Sequence, residues 1–187
     1  GYKKVDLNMG CPFPLQTRHG RGAGLLQHPE IVEEIIAEME KRADITFSVK
    51  MRIGQETEEE GLRIIRLLNN AKLNHIVLHP RLGIQQYKGN ADKEAFKRFM
   101  NETNHPIIYN GDISTLEEIR NIETEIPTLK GIMIGRGLLA RPSLATEYKE
   151  ENEWEPRQRL SLVKEMHTEL LEHYSKVIPS EMQRLTK

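Results

Sequence analysis

Polar residues able to do chemistry recur five times along this 187-residue chain, each time at the end of a short strand-like run. The first group is Asn8-Met9-Gly10-Cys11-Pro12, which sets the only cysteine where such a run breaks into a turn. Catalytic groups sit on loops at strand ends in parallel α/β folds, although an isolated thiol is more often buried and inert. Lys50 and Arg52, His79 and Arg81, Asn110-Gly111-Asp112 and Gly135-Arg136-Gly137 follow in turn. The last two groups suit a phosphate, because glycines let backbone N–H groups approach an anion and Arg136 adds a forked cationic donor. Each alone is also an ordinary glycine turn. Lys50 ends an apolar strand, and a cation there costs free energy unless it meets an anionic or electron-rich partner. A flavin would meet both demands, with its phosphate on the late loops and its ring edge at Lys50. His79 would then hydrogen-bond the same ring or serve as a proton donor, with a purely structural role as the alternative.

The elements that must position these groups alternate along the chain. Strands are expected at residues 3–8, 45–51, 75–79, 106–109 and 131–134. A helix is expected over 29–42, with Pro29 in its first turn and Ile31, Val32, Ile35, Ile36 and Met39 on one stripe. Thr57-Glu58-Glu59-Glu60 reads as a capping box opening a helix with Leu62, Ile65 and Leu68 on its apolar face, and Ser114-Thr115-Leu116-Glu117 reads as a second box. Between them a long loop passes Gly83 and Gly89, and a helix over 91–101 takes Asn90 as its cap. The order βαβαβαβαβ demands a parallel sheet with right-handed crossovers. Gly20-Arg21-Gly22-Ala23-Gly24 lies beyond the first strand end and lacks dinucleotide-fold spacing. Polar residues at the end of every strand instead suggest part of a (β/α)8 TIM barrel. After Arg141-Pro142 the pattern changes to an acidic linker over 150–155 and one amphipathic helix from 156 to about 174. Its apolar residues Leu160, Val163, Met166, Leu170 and Leu171 are expected to pack on their own domain. The expected division is a partial barrel over 1–142, then a linker and the start of an all-α domain over 143–187.

Composition narrows the function classes. Lys and Arg total 27 against 28 for Asp and Glu, so any polyanion site must be a local patch. One cysteine excludes an internal disulfide, no apolar run approaches the ~18 residues of a membrane span, and no signal-peptide pattern opens the chain. A cytoplasmic, reducing compartment is expected. The chain begins with Gly1 and enters a strand almost at once, while Pro179-Ser180-Glu181 reads as a helix start near its end. It therefore reads as a piece of a longer protein.

Seven collinear motifs carry a family resemblance. Val5-Asp6-Leu7-Asn8-Met9-Gly10-Cys11-Pro12, Gly22-Ala23-Gly24-Leu25-Leu26, Val49-Lys50-Met51-Arg52, Leu78-His79-Pro80-Arg81, Gln86-Tyr87-Lys88-Gly89, Asn110-Gly111-Asp112-Ile113 and Met133-Ile134-Gly135-Arg136-Gly137 resemble the tRNA-dihydrouridine synthases from residue 3 to about 142. That resemblance implies an FMN-dependent TIM barrel that reduces a uridine of tRNA to dihydrouridine, with NADPH recharging the flavin. It implies Cys11 as proton donor to uracil C5 after hydride reaches C6, and Lys50 and His79 at the flavin. Asn110, Gly111, Asp112, Gly135 and Arg136 would hold the ribityl phosphate end, and Asn8 and Arg81 would contact substrate, Asn8 at the uracil. A thiol has a reference pKa near ~8.5, which suits it to be an acid at neutral pH. The basic loop over 13–21, with Arg18, His19 and Arg21, would touch tRNA phosphates or be merely solvated. The match corresponds to barrel strands 4 to 8, so the isolated chain is expected to be inactive or poorly folded. Two rivals stay open: an FMN barrel enzyme acting on a free pyrimidine, as dihydroorotate dehydrogenases do, and a non-catalytic RNA-binding module. The low aromatic content of 5% argues against the second. Neither the oligomeric state nor the uridine reduced follows from the sequence.

Overall fold

A computed structural model of the chain describes residues 1–177. These divide into two units, one of residues 1–112 and 122–134, the other of 113–121 and the chain from 135 onward, with the division falling inside one helix.

In the first unit, five strands form a parallel sheet whose spatial order is the chain order: β1 (Lys4–Met9), β2 (Thr46–Arg52), β3 (Leu73–His79), β4 (Ile107–Tyr109) and β5 (Gly131–Ile132). Between the strands lie α1 (Pro14–Thr17), a 3-10 turn over Gly22–Gln27, α2 (Pro29–Glu40), α3 (Glu58–Leu68) and α4 (Lys93–Asn101), and then α5 (Leu116–Glu125), the helix in which the division falls. The Thr57 capping box is present, and Glu60 Oε2 accepts from the backbone N–H groups of Gln55, Glu56 and Thr57, which fixes where α3 begins. The helix before β4 starts at Lys93 and is capped by Asp92, whose carboxylate accepts from Ala95 N at 2.8 Å. Asn90, expected as the cap, lies upstream of it.

Strand alternation sorts the sheet residues into two sets. Met9, Val49, Met51, Ile76, Leu78, Ile107 and Tyr109 share one face, and all are buried. Val32, Ile36, Ile64, Ile65, Leu68, Phe96 and Phe99 from the helices complete the core, with Phe96 edge-on to Tyr109 at 5.0 Å. Asp6, Asn8, Ser48, Lys50, Arg52, His79 and Asn110 alternate onto the opposite face. A doubly wound sheet would bury both faces under helices. An apolar core on one face and polar groups on the other is consistent with part of a barrel. The outer edge of β1 and helix α2 leave an apolar groove of about 550 Å³ lined by Val5, Leu7, Ile31, Ile35, Met39 and Phe47.

In the second unit, Thr115 and Glu118 form the reciprocal cap of α5, one residue later than expected. Three further helices follow: α6 (Arg136–Ala140), α7 (Leu144–Lys149) and α8 (Pro156–Val177). The expected helix start at Pro179 lies outside the described residues. Glu147 on α7 has no exposed surface. Its carboxylate accepts from both Arg141 and Arg159, from Ser143 Oγ and from Trp154 N at 2.8 Å. These donors, Arg141 first, hold its pKa far below the usual carboxylate range. The clamp ties the linker to the first turn of α8. The apolar residues of that helix do not meet a core, since Leu160, Val163, Met166 and Leu170 all stay exposed.

Truncating the fully buried Phe96 to Ala should cost about 3–5 kcal/mol in urea unfolding of the intact protein, whereas Ile84→Ala, at a side chain 59% exposed, should stay within about 0.5 kcal/mol. Glu147 has a folded pKa below its unfolded one, so its stabilisation is present above the unfolded value and is lost as pH falls toward the folded one. Glu147→Gln should therefore lower stability at neutral pH by roughly 3 kcal/mol and make the acid-side decline below about pH 4 shallower.

Candidate active site

The turn after β1 is built by its own residues. Asn8 Oδ1 accepts from Gly10 N at 3.0 Å and from Cys11 N at 3.1 Å, an Asx-type turn that halts the strand and turns the chain at Cys11. With its oxygen so used, Asn8 has only its amide Nδ2 to offer a ligand. Ala23 N donates to Cys11 O at 2.9 Å, bringing the 3-10 turn under the cysteine. Gly22 has φ +57°, and a Cβ there would lie 2.5 Å from Cys11 O and 2.8 Å from Cys11 Cβ. Only glycine permits that approach. Cys11 itself is half-buried.

Lys50 stands beside Asn8 in the β1–β2 register, and Arg52 stands beside His79 in the β2–β3 register. Lys50 is half-buried, and its Nζ has no hydrogen-bond partner among the described residues. Burial lowers its pKa, Arg52 lowers it further, and Asp6 opposes them. Arg52 is 1% exposed. Its Nε donates to Gly10 O at 3.0 Å, its Nη1 donates to Leu82 O at 2.8 Å, and its guanidinium lies 5.5 Å from the Tyr87 ring centroid. One side chain thus joins the turn after β1 to the loop after β3. Sequence reasoning gave Arg52 and Tyr87 no role of their own. The signal available was that Arg52 follows Lys50 by two residues on one strand and so shares its face.

His79 ends β3, 7% exposed, with Arg81 two residues on, 2% exposed. Arg81 Nη1 lies 3.1 Å from His79 Nε2, and its Nη2 donates to Gly89 O at 2.6 Å and to Asp112 Oδ2 at 2.5 Å. Asp112 Oδ2 also accepts from Ala91 N at 2.8 Å. Burial first, then Arg52, Lys50 and Arg81, push the pKa of His79 down to about 3, with Asp112 opposing. Asn110 Nδ2 donates to Met133 O at 2.8 Å, which ties the ends of β4 and β5 together. Gly111 is packed so that a Cβ would lie 2.7 Å from that of Ala91.

The structure therefore brings Asn8, Cys11, Lys50, His79, Arg81 and the loop over 110–112 to one end of the first unit's sheet. Gly135 and Arg136 belong to the second unit, where Arg136 opens the short helix α6. Arg81, expected at the substrate, is buried, and both of its terminal nitrogens are hydrogen-bonded within the protein. Among the described residues no cluster of His, Cys, Asp and Glu could hold a metal ion. The arrangement gathers three cations, Lys50, Arg52 and Arg81, around one thiol and one neutral imidazole, with Asp112 as the carboxylate bound to Arg81.

A family model described as dihydrouridine synthase matches residues 1–185. Among curated proteins, the chain is 37% identical over 149 residues to a tRNA-dihydrouridine(16) synthase of Pseudomonas syringae pv. tomato, covering 79% of this chain and 47% of that protein. It is 32% identical over 152 residues to a tRNA-dihydrouridine(16) synthase of Neisseria meningitidis serogroup B, covering 80% and 45%. It is 29% identical over 174 residues to tRNA-dihydrouridine synthase B of Shewanella oneidensis, covering 92% and 54%. The chain spans about half the length of the curated relatives it matches.

The alkylation rate of Cys11, followed on its own peptide, reports on this turn. Gly22→Ala should push the cysteine outward and raise that rate several-fold in the intact protein, with helical content unchanged by circular dichroism. An unaltered rate would mean that the 3-10 turn does not hold Cys11 in place.

Proposed function

The chain belongs to the dihydrouridine synthase family, and on that premise we propose that the intact protein reduces a uridine of tRNA to 5,6-dihydrouridine, with FMN as its flavin and NADPH as reductant. The observation that carries this reading is the placement of the only thiol at the end of β1, on the sheet end that also bears Lys50 and His79. Three cations there meet two carboxylates, Asp112 bound to Arg81 and Asp6 acting on Lys50, while Lys50 Nζ lacks a hydrogen-bond partner and the buried Arg81 Nε is also unpaired among the described residues. A site so rich in donors fits an electron-rich ring and its phosphate.

FMN, when bound, supplies the hydride that goes to C6 of the uracil. Lys50 binds the ring edge that gains negative charge and stabilises that charge. His79, whose pKa is pushed down by burial and by Arg52, Lys50 and Arg81, would offer the ring an N–H donor. Asn8 Nδ2 donates to a carbonyl of the uracil, holding C5 above the thiol. Cys11 Sγ releases its proton to C5, completing addition across the double bond. Gly111 lets the loop after β4 pack closely on Ala91 and Tyr109, while Asp112 holds that loop through Arg81 and Ala91 N. The contributions of Asn110, Gly135 and Arg136 to the ribityl phosphate rest on the family resemblance. The target base would leave its stack to reach these groups.

Residues 1–142 on this reading form five βα units of an eight-stranded barrel, and the groove beside β1 is where a further unit packs. From residue 143 onward the described residues would form the linker and the start of a helical domain. No helix among the described residues is long and apolar enough to cross a membrane, and the cytoplasm, where tRNA is modified, is the proposed compartment.

Cys11→Ala in the intact protein should lower dihydrouridine formation in tRNA by about 10²–10⁴-fold while the protein stays yellow with bound flavin. Turnover of free uracil or orotate in place of tRNA, or full activity without the thiol, would overturn the reading.

A further inference from the structure

The contact between Arg81 and His79 says where the ring proton is. A guanidinium has donors and no acceptor. With Arg81 Nη1 at 3.1 Å from His79 Nε2, Nε2 must be the bare, accepting nitrogen, and the proton of a neutral ring must sit on Nδ1. Arg81 has no freedom to turn away. It is 2% exposed, its Nη2 is held by Gly89 O and Asp112 Oδ2, and Asp112 is itself anchored by Ala91 N. The guanidinium plane is thus pinned from the loop after β3 and from the loop after β4.

The groups around the imidazole all act on the same question. Lys50 and Arg52 face it from β2, Arg81 from its own loop, and Asp112 from the loop after β4. The Tyr87 ring stands 6.3 Å away, centroid to centroid. Burial and three cations disfavour a second proton on the ring, and Asp112 alone favours one. His79 Nδ1 has no acceptor among the described residues, yet the side chain keeps a small exposed surface.

Resting on the reading that this face takes a flavin, we propose that Arg81 is a positioning residue that locks His79 as the neutral Nδ1–H tautomer, so that the histidine presents a fixed N–H donor to an acceptor atom of the bound ring. Arg81 then acts from behind the ligand and does not touch RNA.

Long-range ¹H–¹⁵N NMR of the histidine rings in the intact protein tests this directly. His79 is picked out from the other histidines by loss of its signals in His79→Asn. The expected wild-type spectrum has Nδ1 protonated and Nε2 bare, unchanged from about pH 8 to about pH 5, with the Nδ1–H signal moving when FMN is added. Arg81→Gln should yield a mixture of tautomers that begins to titrate in that range, and should raise the FMN dissociation constant about tenfold by flavin fluorescence, as for one lost hydrogen bond. A wild-type ring protonated on Nε2, a ring that titrates normally, or an Arg81→Gln protein with the tautomer unchanged would overturn the proposal. Should Arg81→Gln fail to fold, the wild-type spectrum decides alone. A wild-type protein with the expected tautomer and no affinity for FMN would support the lock and refute the flavin reading.

Discussion

The buried guanidinium of Arg52 is the joint on which the polar end of the sheet depends. A cation removed from water must recover its hydration elsewhere, and the usual recourse is a carboxylate. Arg52 instead donates to two backbone carbonyls, Gly10 O and Leu82 O, and lies over Tyr87. Carbonyls satisfy its N–H groups without cancelling its charge. The same bonds tie the cysteine turn to the loop after β3, so position and potential come from one side chain. Lys50 and His79 both feel that charge, which helps keep the ammonium and the imidazole less basic than they would be in water.

The division between core and chemistry is one of parity along each strand. Met9 and Met51 are buried, while the residues just before them, Asn8 and Lys50, stand on the other face. A one-residue slip of β2 would send Lys50 into the helix-packed core and Met51 to the polar end, at a cost no local rearrangement could offset. Register is therefore specified by the functional residues as strongly as by the apolar ones.

Much of this was legible in the sequence, and the reasons differ by element. Thr57 and Glu60 were readable because a capping box is a local device, closed within one turn. The strands were readable because short runs with apolar residues at alternate positions, ended by polar residues or glycine, admit few alternatives. The cap of α4 was misread because Asn90 and Asp92 are both good caps, and the choice between them is made by Ala95 N. The second box slid by one because Ser114 and Thr115 are both capping residues and Glu117 and Glu118 are both acidic. Helices α1, α6 and α7 span 4, 5 and 6 residues, too short to show a period of 3.6. The exposed stripe of α8 was expected to meet a core, which an amphipathic pattern alone cannot locate. The buried contacts of Arg81 were not readable at all. An arginine near a site reads as a ligand contact, and only tertiary packing shows its nitrogens turned inward to His79, Gly89 and Asp112.

Because spatial order follows chain order from β1 to β5, each strand pairs with the one that precedes it in sequence. Each pairing among these five strands closes a loop of one βα unit, so the entropy of ordering them is met in small, separate steps. Such a sheet can grow by accretion as the chain leaves the ribosome, each new strand docking on a finished edge while the next is still being synthesised. The cysteine turn, the lysine, the histidine and the late loops would come together in that sequence, and the site would be complete only when the last strand arrives.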